Sequence, residues 1–251
     1  MPLQIDVISD VVCPWCFIGK RKLARALELY GKREPDAGPP QVAWHPYQLN
    51  PDLPEAGVDR RDYLARKFGG QSGEIYARIS AVGAEVGIPF AFDKVARQPN
   101  TLAAHTLIAL AGDAGLQDVL VEALFRAYFI DGRDLSANET LSAIACETGL
   151  AREQVDACMT STQMRERVKA EDAQARRIGM EGVPFFLFNR RLAVSGAQDP
   201  DVLVDAMLKS ELEAPSEDDE SAYPLSPPLP IDPGVNTGKG GRRQRAHKFS
   251  E

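Results

Sequence analysis

Two cysteines with two residues between them, Cys13-Pro14-Trp15-Cys16, are the side chains in this sequence best suited to do chemistry. Thiols at this spacing can close a small disulfide ring, or they can supply half of a zinc site. The backbone that carries them decides which. At the first turn of a helix, unpaired N–H groups and the positive end of the helix dipole favour a thiolate on the leading sulfur. The second sulfur then lies one turn further in, shielded, and can attack a mixed disulfide formed on the first. Cys13 is therefore the expected nucleophile and Cys16 the expected resolving thiol. Pro14 suits an early helical position, where a missing N–H costs nothing. Trp15 is a large rim group able to contact a client or to shield the disulfide. Lowering a free-thiol pKa of about 8.5 by about two units would raise ionisation at pH 7 from about 3% to about 75%. Intrinsic nucleophilicity falls about tenfold over the same shift, so attack gains only a few-fold. The larger effects are a better leaving group and a more stable dithiol.

A second mark is Gly182-Val183-Pro184-Phe185-Phe186. A proline at the entry of a core strand is tolerated only where its missing donor does no harm. X-Pro is also the one setting in which a cis peptide is cheap. A cis bond would turn the Val183 backbone outward, able to pair with an extended client chain. On spacing alone, cis and an ordinary trans proline stand level. The remaining cysteines, Cys146 and Cys158, lie in apolar helical stretches and are expected to be buried small hydrophobes. The alternatives are a second redox pair, or a zinc site completed with Cys13 and Cys16. The 11 residues between Cys146 and Cys158 match no standard ligand spacing.

A helix tip at Cys13 needs a strand before it and a helix after it. Residues 3–9 alternate and carry β-branched residues, which predicts a strand. From Phe17 to Tyr30, Ile18, Leu23, Leu27 and Tyr30 recur at helical spacing, with Lys20, Arg21, Lys22 and Arg25 expected to face out. Gly31 and the proline-bearing stretch 35–40 should end that helix. Gln41 to Leu49 reads as a second strand, and strand–helix–strand favours a parallel sheet. Helical periodicity then fills residues 59–179, in segments near 59–68, 72–86, 100–114, 116–130, 137–148 and 151–178. Asn100-Thr101 is a predicted N-cap and Gly179 a predicted C-cap. Strand signal returns at Val183 to Asn189. A turn at Asn189-Arg190-Arg191 leads to Leu192–Ser195 as a hairpin, and Gly196 to Leu212 forms a last helix. The fold class is α/β: βαβ, a helical block, then ββα.

Composition sets outer limits. With 251 residues, 44% hydrophobic and 26% charged, the chain can build a full core without staples. A net charge of −7 argues against nucleic acid as the main partner. No apolar run nears the roughly 20 residues of a membrane span. The start, Met1-Pro2-Leu3-Gln4-Ile5-Asp6, lacks the basic, apolar and small-residue pattern of a secretory leader, so a cytoplasmic location is expected. In such a reducing compartment a close cysteine pair is more often catalytic or metal-binding than structural. Residues 213–251 hold six of the 18 prolines, begin acidic and end basic, and should be a disordered, solvated tail.

The sequence resembles the DsbA-type branch of the thioredoxin superfamily. It is most similar to the FrnE-like group, which adjoins the 2-hydroxychromene-2-carboxylate isomerases and kappa-class glutathione transferases. The resemblance rests on Asp10-Val11-Val12-Cys13-Pro14-Trp15-Cys16-Phe17-Ile18-Gly19, Trp44-His45-Pro46-Tyr47-Gln48-Leu49-Asn50-Pro51, Asn100-Thr101-Leu102-Ala103-Ala104-His105, Gly182-Val183-Pro184-Phe185-Phe186 and Ser195-Gly196-Ala197-Gln198. It implies a thioredoxin fold with a large all-helical insertion. Residues 1–56 and 180–212 would then be the two parts of the thioredoxin fold, 57–179 the insertion and 213–251 the tail. It carries Cys13 over as nucleophile, Cys16 as resolving thiol and Pro184 as a cis-proline facing them. The Asn100 motif approaches the cleft in this family. That gives His105 a cleft role as the alternative to plain packing within the helical block; His45 reads as structural.

The expected function is thiol–disulfide exchange on protein dithiols and disulfides or small thiols. Cys13 and Cys16 would be catalytic, and Pro14, Trp15, Val183 and Pro184 would contact the substrate. No cofactor or metal is expected, glutathione is a candidate redox partner, and the chain is a monomer or homodimer. One rival is a glutathione-dependent isomerase or transferase, but in those relatives serine typically replaces the nucleophile and the second cysteine is absent. A chaperone-like binding module and a zinc module are the other two rivals.

Overall fold

A computed structural model of the chain describes residues 2–177, 180 and 182–212. The expected Gly179 cap and the 213–251 tail lie outside the described residues. Strand β1 (Gln4–Ser9) is followed by helix α1 (Pro14–Arg33) and strand β2 (Gln41–Pro46), which runs parallel to β1. Far along the chain, β5 (Phe185–Phe188) pairs antiparallel with β1, and β6 (Leu192–Ser195) pairs antiparallel with β5. The order is β2–β1–β5–β6, and α9 (Pro200–Leu212), the last described helix, packs against α1.

The pleat sorts the side chains of this sheet. Ile5, Val7, Trp44, Phe186 and Phe188 join the main core with Phe17 of α1 and Met207 of α9. Ile8 and Leu187 point the other way, onto Ala175 and Met180. Both faces of β1 are therefore covered, which is why its burial is nearly continuous rather than alternating.

Between β2 and β5 the chain builds its helical block. It contains α2 (Arg60–Phe68), α3 (Ser72–Glu85), α4 (Leu102–Asp113), α5 (Gln117–Arg126), α6 (Asn138–Glu147), α7 (Arg152–Thr160) and α8 (Thr162–Arg177). Two short strands that the sequence reading did not anticipate, β3 (Val58–Asp59) and β4 (Arg97–Gln98), pair antiparallel at its edge. α4, α5 and α8 pack against β2. Phe17 stacks on Phe125 with ring centroids 5.0 Å apart, tying α1 to the block.

Several expected boundaries differ. α1 starts at Pro14 rather than Phe17 and runs past Gly31 to Arg33. Gly31 does not adopt the positive φ of a helix-ending glycine, so the helix passes through it. β2 stops at Pro46, three residues short of Leu49, because its partner β1 ends at Ser9: Tyr47 N–H makes the last bond, to Ser9 O, and the N–H groups of Gln48 and Leu49 go to the carboxylates of Asp172 and Asp10. The single helix expected over 151–178 is two, separated at Ser161, whose backbone is extended. The stretch expected as one helix over 116–130 ends in a π-type turn, Ala127–Asp131. Lys20 does not face out: it is buried, with Nζ 2.8 Å from Asp118 Oδ2 and 3.7 Å from Glu122 Oε2.

Candidate active site

A tight turn delivers Cys13 to its position. The Cys13 N–H donates to Asp10 O at 3.0 Å, and Cys13 becomes the N-cap of α1 with an extended backbone (φ −94°, ψ 111°). Pro14 occupies the start of the helix, where its ring fits and no N–H is missed. The Cys13 carbonyl accepts from the Cys16 N–H at 3.0 Å, opening the helix ladder. No acidic residue sits in the first turn, while Lys32 and Arg33 occupy the last. The positive end of the helix thus meets the Cys13 sulfur without a competing carboxylate on α1.

Cys13 is 5% exposed and Cys16 1%, while Trp15 between them is 41% exposed. All four cysteines are free thiols. The Cys16 thiol is pushed well above its ordinary range. Burial is the largest cause, and the neighbouring Cys13 sulfur adds to it. The Asp10 backbone N–H and the Ser9 hydroxyl, which face the Cys16 sulfur, pull the other way without winning. Buried and hard to ionise, Cys16 has the character of a group that reacts second.

The loop before β5 closes over this pair. The Val183–Pro184 peptide bond is cis. The Cys13 thiol donates to Val183 O at 3.5 Å. Pro184 lies across α1 at Gly19, so close that a Cβ there would be 2.9 Å from Pro184 Cγ. The Pro184 carbonyl is itself tied down by the Gly196 N–H at 2.8 Å. Cys13, Cys16, Val183 and Pro184 therefore form one cluster from the two ends of the described chain.

Asn100 is placed elsewhere. Its Oδ1 accepts from Leu102 N–H and from Gln48 Nε2, each at 3.0 Å, and its Nδ2 donates to Leu53 O at 2.7 Å. It caps α4 and fastens the chain after β2. His105, on the first turns of α4, reaches the motif from below, with Nε2 3.3 Å from Asp10 Oδ1. His45 is buried on the opposite sheet face, with Nε2 2.8 Å from Asp6 Oδ1. Cys158 is buried and its thiol donates to Thr106 O at 3.4 Å, whereas Cys146 is only half-buried. Among the described residues no three His, Cys, Asp or Glu side chains gather to hold a metal. Nor is any described helix long and apolar enough to cross a membrane.

Sequence reasoning passed over Asp10 and Ser9 as chemical groups. Asp10 is 0% exposed, directly beneath the cysteines, with Oδ2 accepting from Leu49 N–H at 2.8 Å. The only sequence signal was an acid at the exit of an apolar strand, three residues before Cys13.

Comparison with known proteins agrees with this fold. A family model described as DSBA-like thioredoxin domain matches residues 4–208. A probable DsbA oxidoreductase of Streptomyces coelicolor is similar in structure, with TM-score 0.76 and 27% identity over 85% of this chain and 92% of that one. A 2-hydroxychromene-2-carboxylate isomerase shares the fold at TM-score 0.62 and 17% identity, covering 84% of this chain and 100% of its own. The cytosolic disulfide reductase DsbM of Pseudomonas aeruginosa, solved with glutathione, shares it at TM-score 0.58 and 21% identity, over 83% and 98%.

Proposed function

The chain belongs to the DSBA-like thioredoxin domain family, and from that premise we propose that it is a thiol–disulfide oxidoreductase working through Cys13 and Cys16. The observation that carries the reading is the placement of the Cys13 sulfur at the tip of α1, 3.5 Å from the Val183 carbonyl, with Cys16 buried one turn behind. Cys13 attacks a client disulfide, one client sulfur leaves, and a mixed disulfide forms on Cys13. Cys16 then displaces the client sulfur and closes the Cys13–Cys16 disulfide, leaving the client reduced. Run backwards, the same steps oxidise a client dithiol. Trp15, exposed at the rim, and the Val183–Pro184 backbone hold the client while Pro14 sets the helix start.

The working location is the cytoplasm, and no cofactor is needed beyond a redox partner. Glutathione fits that part: the similar reductase DsbM was solved with it, and a small thiol can reach a sulfur as buried as Cys13. The isomerase and transferase reading is weaker here, because two thiols stand where one nucleophile would serve.

The test is insulin reduction and refolding of a scrambled disulfide protein. Both activities are expected in the wild type and absent in Cys13→Ser. Cys16→Ser should accumulate a mixed disulfide visible by mass spectrometry. Full activity in Cys13→Ser refutes the assignment.

A further inference from the structure

The helical block buries a cation that has no counter-charge. Arg60, at the start of α2, is 6% exposed. Among the described residues no carboxylate lies within ion-pair distance of it. Its guanidinium donates instead to neutral oxygens: Gln98 Oε1, Tyr128 Oη at 3.0 Å and Tyr76 Oη at 2.8 Å. A buried charge without a partner is costly, and preorganised charges of this kind serve where charge develops during a reaction. Tyr76 extends this cation toward the cysteines. It lies on α3, which packs against α1, and is half-buried against the core that contains Cys13. Its ring is fixed by Phe68 and Phe92, with centroids 6.4 and 4.4 Å away. Tyr76 and Cys13 are within electrostatic reach of each other, yet no hydrogen bond joins them. The Cys13 thiol goes to Val183 O. The Tyr76 oxygen accepts from Arg60, and its own O–H has no acceptor among the described residues.

We propose that the Tyr76 O–H binds the departing sulfur of the client, and that Arg60 holds and polarises the phenol for that task. This rests on the exchange reading above. A sulfur bonded to Cys13 stands about 2 Å beyond it. A donor near Cys13 but not bonded to it leaves room for that second sulfur. Hydrogen bonds to an ionised acceptor are about twice as strong as neutral ones, so the contact favours the leaving thiolate over the intact disulfide. Burial holds the Tyr76 phenol above its ordinary 10, with Arg60 pulling the other way, so the O–H is present as a donor at neutral pH. Tyr128, the other phenol on Arg60, is fully buried and donates to Arg97 O at 3.2 Å, which makes it a strut.

The step balances. The Cys13 thiolate bonds to one client sulfur as the client S–S bond breaks. The other client sulfur leaves as a thiolate with the electron pair, accepts a hydrogen bond from Tyr76, and takes its proton from solvent. Tyr76 keeps its own proton throughout. In resolution the Cys16 thiolate bonds to Cys13, and the remaining client sulfur leaves in the same way. Need for the donor depends on the client. A high-pKa alkyl thiolate is a poor leaving group and gains most; an aromatic thiolate spreads its own charge and gains little. Tyr76 is therefore a catalytic residue for alkyl disulfides, the kind cysteine forms, and Arg60 is the residue that positions it.

Two neutral disulfides test this: dipyridyl disulfide, with a good leaving group, and bis(2-hydroxyethyl) disulfide, with a poor one. Neither carries a carboxylate, so simple attraction to Arg60 plays no part. Attack by Cys13 is followed in a Cys16→Ser background, by acid quench and mass spectrometry of the mixed disulfide. Tyr76→Phe should slow attack on the dialkyl disulfide about tenfold or more, and attack on dipyridyl disulfide less than about threefold. Arg60→Gln removes the charge and should widen the ratio of the two rates about threefold. Tyr128→Phe also touches Arg60 and should leave that ratio within about twofold. An unchanged ratio in a folded Tyr76→Phe protein overturns the proposal, whether both rates fall together or neither does. So does a ratio widened equally by Tyr128→Phe. An unchanged ratio in a folded Arg60→Gln protein overturns the part given to Arg60. If the protein with Tyr76 intact forms no mixed disulfide with either reagent, the exchange reading itself fails.

Discussion

Gly19→Ala tests how tightly α1 and the Pro184 loop are locked. Gly19 lies inside α1, where alanine would ordinarily stabilise the helix by about 1 kcal/mol. Here the added Cβ would stand 2.9 Å from Pro184 Cγ and 3.2 Å from Phe186 Cζ. Neither neighbour can retreat easily: Phe186 is fully buried in the core and the Pro184 carbonyl is fastened to Gly196 N–H. Overpacking of this kind costs about 1–3 kcal/mol. Set against the helix gain, the expected result is a loss of about 1 kcal/mol. The displacement should also pass to Val183, whose carbonyl sits 3.5 Å from the Cys13 sulfur, and slow Cys13 attack several-fold. Gly31→Ala is the paired control. It lies in the same helix with nothing near its Cβ position, so it should stabilise by about 0.5–1 kcal/mol and leave attack unchanged. Urea unfolding of the reduced proteins gives the stabilities, and the first release of coloured thiol from a chromogenic aromatic disulfide gives the rate. A stabilised Gly19→Ala protein with normal attack would refute the argument that this contact positions the loop.

Two titrations follow from buried groups outside the motif. Burial pushes the Cys158 thiol from its ordinary 9.0 to about 11, so the unfolded chain releases this proton first as pH rises. The reduced protein should then lose about 2 kcal/mol between pH 9 and 11 that Cys158→Ala does not lose, read as the difference in urea midpoints across that range. Asp6 behaves with the opposite sign. Burial alone would raise its carboxyl, but the hydrogen bond and charge of His45, with Arg190 and Gln4, hold it below the ordinary 3.8. Its contribution is present above that value and fades as pH falls below it. Asp6→Asn should therefore flatten the acid limb of the stability curve and lower neutral stability by about 1–3 kcal/mol. An acid limb identical to the wild type would show that the His45 pairing carries no linkage.

The parts of this site that could be read from the sequence are those whose geometry is local. Cys13, Pro14 and Cys16 share one helical turn, so their relation needs only a strand before and a helix after, and both are present at Gln4–Ser9 and Pro14–Arg33. The strand-turn-strand pattern after Pro184 is equally short-range, and β5 and β6 pair through it. What was not legible depends on contacts between distant segments. Asp10 and His105 are 95 positions apart, and nothing in either neighbourhood says that α4 will bring the imidazole to 3.3 Å. Lys20 looked like a solvated helix residue until α5 supplied Asp118 and Glu122 to bury it against. The break at Ser161 follows the same logic: periodicity continues across it because both α7 and α8 bury a face, Val155 and Cys158 before it, Met164 and Val168 after it. The division is physical. A nucleophile can be assembled within one turn of helix, but what lies beneath that turn is contributed by several layers of the fold. The dithiol is therefore announced by four consecutive residues, while its buried surroundings emerge only when the inserted helices are packed against the strand that precedes them.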